Sequence, residues 1–238
     1  MLSCLRIWAG QGKYTEPKGV TQEEIKAGLY RLTALPRDLS NRLRFGPAAP
    51  RVAERLWIDP ARLVWQADPL PPRSWSGRVV ATGWPQGRVA VRDNPKIRYC
   101  LAHWRSGADW DAAGAIAFFE AALAARGRID GLRNMDRIRA RLAGLDAVFA
   151  QIRAEGRLRP RDELPGRGFR ERGGIYVHIG AGGEPYFGGG GQHRLAMALA
   201  LELPLIPVQL GVVSCDALVA LPALRRDPRS DLSLAGAG

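Results

Sequence analysis

The chain has 238 residues, 46% of them hydrophobic and 24% charged, enough apolar material for a real core and too much for global disorder. No run of about 18 apolar residues occurs, which excludes a membrane-spanning helix. Net charge is +12 with a pI of about 10.5, carried by 31 arginines against four lysines, so the expected partners are anionic: nucleic acid, nucleotides or phosphorylated molecules.

Residues 1–20 read as irregular. Thr21-Gln-Glu-Glu24 is a capping-box pattern that opens a helix to about Leu32, because the Thr hydroxyl and the Glu carboxylate each satisfy an exposed backbone N–H. Pro36, Pro47 and Pro50 then break the chain. Arg55-Leu-Trp-Ile-Asp59 reads as a short strand stopped by Pro60. The Pro-rich stretch 66–78 reads as loop, and Arg78-Val-Val80 and Arg88-Val-Ala-Val-Arg92 as strands by alternation and β-branching. Asn94-Pro95 places an N-cap before a proline at the first helical position, predicting a helix to about Arg105. Asp109 or Asp111 caps the next helix, ending at Gly127. Leu142, Leu145, Val148, Phe149 and Ile152 recur at helical spacing within a third helix, 134–155, closed by Gly156.

After an Arg/Gly/Pro loop, 156–174, Ile175–Ile179 and Glu184–Phe187 predict a hairpin, Gln192–Leu201 a helix and Leu203–Val213 a strand. Arg225–Gly238 is small and polar and is expected to be a disordered tail. Cys4, Cys100 and Cys215 lie far apart with no Cys-x-x-Cys pair. Neither a zinc site nor a disulfide framework is indicated, and reduced thiols in a cytoplasmic protein are expected. The first residues lack a basic n-region and do not read as a signal peptide.

The chemistry concentrates in Gly188-Gly-Gly-Gly191-Gln192-His193-Arg194, between a strand and a helix. Glycines there let the backbone approach an anion, and the helix start offers unpaired N–H groups and the positive dipole end. Arg194 can fork two phosphate oxygens, and His193 can donate a hydrogen bond or move a proton near neutral pH. No Gly-Lys-Ser/Thr follows, so this is not a Walker loop.

Phe187-Gly-Gly-Gly-Gly-Gln-His-Arg-Leu-Ala-Met-Ala, followed by Leu203-Pro-Leu-Ile-Pro-Val-Gln-Leu, resembles the signature of the ParB/sulfiredoxin superfamily. A weaker likeness lies upstream, where Ala150-Gln-Ile-Arg-Ala-Glu-Gly-Arg-Leu-Arg-Pro160 is similar to the SIxxxGLLQP segment of ParB-like domains. The resemblance spans roughly residues 140–213 and implies a nucleotide, ATP or CTP, with Mg²⁺. Its phosphates would rest on Gly188, Gly189, Gly190, Gly191, Gln192, His193 and Arg194. The catalytic roles would fall on His193 and Arg194. The sulfiredoxin cysteine falls on Gln192, which removes the sulfur nucleophile that sulfinic-acid reduction needs. The Asp of the free-serine-kinase loop falls on Gly190, and the Gln of the upstream box falls on Arg159, a further phosphate ligand.

Asp162 and Glu163 could hold Mg²⁺ through their carboxylates. His178 alternates away from Val177 and Ile179, so it is expected on a surface or rim. His103 is expected to be structural, and the tryptophans Trp57, Trp65, Trp75 and Trp84 to pack core and loops. The resulting expectation is an α+β chain in four parts: an irregular segment with one helix (1–50), a mixed extension (51–130), a ParB/sulfiredoxin-like nucleotide-binding domain with a small mixed sheet (131–224) and the tail. Three functions stay open. They are nucleotide-dependent phosphoryl transfer to a small molecule or nucleotide hydrolysis, ParB-type DNA binding or nuclease action, and a nucleotide-gated adaptor. Any DNA binding is expected to be sequence-independent, and no membrane partner is expected.

Overall fold

A computed structural model describes residues 22–165 and 168–227 and has an α+β architecture. Its strands are β1 (Arg55–Ile58), β2 (Trp65–Asp68), β3 (Val79–Val80), β4 (Gly87–Ala90), β5 (Ile175–Ile179), β6 (Pro185–Phe187) and β7 (Ile206–Ser214). They form one mixed sheet in the order β1-β7-β5-β6-β2-β4, with β3 also on β7. The helices are α1 (Gln22–Phe45), α2 (Pro95–Ser106), α3 (Ala115–Arg126), α4 (Met135–Glu155), α5 (Gln192–Ala200) and α6 (Leu221–Leu224). Among the described residues, no helix is long and apolar enough to cross a membrane.

Residues 51–130 supply β1 to β4 to the same sheet as β5, β6 and β7, so the expected extension is woven into the sheet rather than laid on it. The middle strand shows why. One edge of β7 pairs in parallel with β5; the other is shared by β1, antiparallel at 206–209, and β3, parallel at 213–214. A strand so paired exposes neither edge, and all nine residues of β7 are buried.

Local signals place most elements. The side chain of Asn94 accepts from the N–H of Lys96 before Pro95, and that of Asn134 accepts from the N–H of Arg137, fixing the starts of α2 and α4. Three expectations shift. Asp109 accepts from the N–H groups of Asp111 and Ala112 but caps only a turn; α3 starts after Gly114. α1 does not stop near Leu32: it continues through Pro36 to Phe45. An interior proline costs about 3 kcal/mol, offset where Asp38 accepts from the N–H of Val52 and Asn41 donates to the carbonyls of Pro50 and Gly77. The stretch 66–78 is not all loop, because Trp65–Asp68 pairs with β4 and β6.

The Thr21–Glu24 capping box falls outside the residues whose side chains are described, as do residues 228–238 of the expected tail. Arg225, which was to open that tail, is tied down instead. Its guanidinium donates to Glu54 at 2.8 Å and to the carbonyls of Ala48 and Ala49.

The core lies between one face of the sheet and the helices. Ile175, Val177, Ile179, Phe187, Val208 and Leu210 point into it and meet α2 and α5. The opposite face carries Tyr176, His178 and Tyr186 and is covered by Trp84 and the segment that includes a 3-10 turn at Arg73–Trp75.

Candidate anion-binding site

The Gly188–Gly191 loop runs along β5 and is pinned to it. Gly188 donates to the carbonyl of Tyr176 (2.7 Å), and Tyr176 donates to that of Gly190 (3.0 Å). The close approach demands glycine: a Cβ on Gly188 would sit 2.6 Å from a ring carbon of Tyr176, and one on Gly191 2.7 Å from the Cα of Ile175. Gly191 also has φ +77° and forms the N-cap of α5 without a side-chain cap. The opening N–H groups of α5 therefore have no side-chain acceptor, which is the arrangement that receives an anion.

Two concave spaces meet at this loop. The first, about 390 Å³, is a cleft over the start of α5 lined by Gly189, Gly191, Gln192, His193 and Arg194, with Arg73, Lys96, Asp130 and Arg141 brought in from outside the motif. Arg73 comes from the 3-10 turn, Lys96 from the first turn of α2 and Arg141 from α4. Lys96 pairs with Asp130, whereas the guanidinium groups of Arg73 and Arg141 have no carboxylate partner among the described residues. The second space, about 500 Å³, lies on the β5 side and shares Arg73 and Gly191 with the first.

The predicted residues divide. The four glycines, Gln192, His193 and Arg194 form the loop and helix start as expected. Arg194 is not a free fork: one nitrogen donates to the carbonyl of Arg159 at 2.8 Å, and burial pulls its pKa below the ordinary arginine value. Arg159, the further phosphate ligand of the resemblance, has its guanidinium held bidentately by Glu155 at 2.8 and 2.7 Å. That pair at i and i+4 occupies the fork that the resemblance assigned to phosphate. His193 lies 3.3 Å from the Tyr99 hydroxyl through Nε2. Burial, with Lys96 and Arg141 nearby, lowers its pKa to about 4, so it is neutral at pH 7.

Asp162 and Glu163, the expected Mg²⁺ pair, are each engaged by a different arginine. Asp162 pairs with Arg55 and Glu163 with Arg157, both at 2.7 Å, and among the described residues no group of three potential ligands gathers for a metal.

His178 is fully buried rather than on a rim. β7 holds one extra residue opposite it, since Val177 aligns with Leu210 but Ile179 with Val213. This bulge frees the N–H of Val212, and His178 Nδ1 accepts it at 3.0 Å. Burial lowers the His178 pKa to about 4. His103 is structural, as expected: Asp146 accepts from His103, Trp104 and Trp110, each at 2.9 Å, joining α2, α4 and the turn between α2 and α3.

The motif does not reveal Arg73, Lys96, Arg141 or Tyr99. Lys96 and Tyr99 share α2, but Arg73 and Arg141 lie on other elements, and no local pattern marks any of them as neighbours of the loop. Compared with family models, curated proteins and solved structures, the chain matches none. The likeness to the ParB/sulfiredoxin superfamily thus rests on the quoted motifs alone.

Proposed function

We propose that this chain binds the phosphate chain of a nucleoside triphosphate, ATP or CTP, on the Gly188–Gly191 loop, as a step toward phosphoryl transfer to a small molecule or nucleotide hydrolysis. The observation that carries the reading is the convergence of Arg73, Lys96 and Arg141, from three separate elements, on the uncapped start of α5. Backbone N–H groups supply the fixed cradle. The unpaired guanidinium groups of Arg73 and Arg141 supply neutralising charge, and positioning with charge stabilisation is most of what phosphoryl transfer asks of a protein.

The roles of the motif residues follow from their surroundings. Arg194 holds the 157–161 loop against the helix start through the Arg159 carbonyl, so it shapes the cradle as much as it contacts a ligand. His193 is neutral at pH 7 and offers hydrogen bonding rather than a fixed positive charge. The lining suits phosphate better than a protein-held cation. Its carboxylate, Asp130, is paired with Lys96, so Mg²⁺ is expected to travel with the nucleotide rather than to be held by this chain.

Calorimetric titration with ATP, CTP, GTP and ADP in the presence of Mg²⁺ tests the reading. Arg141→Ala should lower affinity roughly ten- to hundredfold, the loss of one charge-assisted contact, while the melting temperature stays near that of the wild type because Arg141 is exposed. Arg194→Ala is a poorer probe, since it also releases the Arg159 carbonyl. Unchanged affinity in folded Arg141→Ala and Lys96→Ala proteins, or no binding of any of the four nucleotides, overturns the proposal.

A further inference from the structure

The second space at the glycine loop has its own chemistry. It is lined by Arg73, Arg161 and Arg172 together with Tyr30, Tyr176 and Gln209, and no carboxylate of the described residues lines it. Three segments bring the cations: the 3-10 turn at 73–75, the turn after Pro160 and the loop before β5.

None of the three guanidinium groups has a carboxylate partner among the described residues. Elsewhere the fold neutralises its inward arginines. Arg55 is paired with Asp162 and Glu171, Arg170 with Asp38 and Arg225 with Glu54. The Nε of Arg161 is buried with no acceptor among the described residues, although the main-chain N–H of the same residue is held by Glu171. A buried charged donor left unmatched is costly unless something else supplies the acceptor.

The neighbouring groups are also set as donors. Gln209 Oε1 accepts from the N–H of Gly173 at 2.8 Å, which directs the donating amide nitrogen away from that bond. The Arg172 guanidinium carbon lies over the Tyr30 ring, a contact that brings no carboxylate to its charge.

We propose that this cavity is a binding site for a small molecule carrying an oxyanion, a carboxylate or a phosphate, gripped by Arg161 and Arg172 and facing the phosphate cradle across Arg73 and Gly191. Its role as the site of the second substrate rests on the nucleotide reading; its affinity for an oxyanion does not. The volume, about 500 Å³, is that of a metabolite-sized site. Because Arg73 lines both spaces, an occupant here and a phosphate chain in the cleft would meet one shared cation, so each ligand is sensed by the other.

Inorganic pyrophosphate and succinate, titrated separately, test this. The wild-type chain should bind pyrophosphate at two sites. The Arg161→Ala/Arg172→Ala protein should lose one of them, with affinity there down roughly ten- to hundredfold per lost contact. The Lys96→Ala/Arg141→Ala protein should lose the other. Succinate binding that disappears in Arg161→Ala/Arg172→Ala identifies a carboxylate occupant. Pyrophosphate binding without succinate binding identifies a phosphate.

Arg161→Lys/Arg172→Lys, which keeps the charge, should bind more weakly than wild type but better than the alanine pair, and covers the case in which the alanine pair misfolds. Retention of both pyrophosphate sites in a folded Arg161→Ala/Arg172→Ala protein overturns the proposal, as does a single wild-type site abolished by Lys96→Ala/Arg141→Ala. A single wild-type pyrophosphate site that Arg161→Ala/Arg172→Ala abolishes and Lys96→Ala/Arg141→Ala leaves intact instead overturns the nucleotide reading and keeps this one.

Discussion

The two faces of β5 are built on opposite principles. Ile175, Val177 and Ile179 enter an apolar core with Phe187 and Leu195, where each contact is dispersion and area burial. Tyr176 and His178, on the alternate positions, meet Trp84, Tyr186 and the 69–86 segment through directed contacts. The Tyr176 hydroxyl donates to the carbonyl of Arg73, and the His178 ring accepts from Val212. Both faces are buried, but only the second is held by bonds that must find specific partners. The glycine loop joins the two faces. The helical face brings Lys96 and Arg141 to the cleft, and the aromatic face brings Arg73 to both spaces.

The contrast can be broken at three points. The largest effect belongs to the apolar face: Phe187→Ala, at a fully buried position, should cost about 3–5 kcal/mol of stability, read from the urea midpoint.

The next belongs to pH. The pKa of His178 falls from an ordinary 6.5 to about 4 on folding because burial disfavours its charged form. The unfolded chain therefore binds this proton first. Stability is fully present above about 6.5 and is lost as pH falls toward 4, by roughly 3 kcal/mol for this residue. His193, lowered to about 4 by burial and by Lys96 and Arg141, acts in the same direction. Urea midpoints between pH 4 and 7 should show the decline, and His178→Gln should shrink it by roughly half. An undiminished decline in that variant would show that the imidazole is not what the second face protects from charging.

The smallest effect is Tyr176→Phe. It removes one 3.3 Å hydrogen bond to the carbonyl of Arg73 and should cost about 0.5–1.5 kcal/mol, measured by thermal melting. If the loss instead matched that of Phe187→Ala, the two faces would not differ in the way described.

Much of this was legible along the chain because it depends on near neighbours. The Asn94-Pro95 cap, Gly127 and Gly156 as helix ends and the strand–glycine–helix order around Gln192 all act within a few residues. Alternation correctly set His178 opposite Val177, since the strand period is local. It could not say that Trp84, some ninety residues away, would cover that side and make the rim position an interior one.

By itself, then, the sequence determined most of the elements, the α+β class and the strand–glycine–helix order, each of which rests on backbone conformation and capping within a turn or two. Tertiary structure alone decided which charges meet. Arg159 has the composition of a phosphate ligand, yet Glu155 closes its fork one helical turn back. Asp162 and Glu163 have the composition of a metal pair, yet each is claimed by a different arginine. Arg73, in a Pro-rich stretch with no motif around it, arrives beside Gly190 because the 69–86 segment must cover the second face of the sheet. Charge is long-ranged and indifferent to sequence order, so its pairing is settled only when the chain has closed.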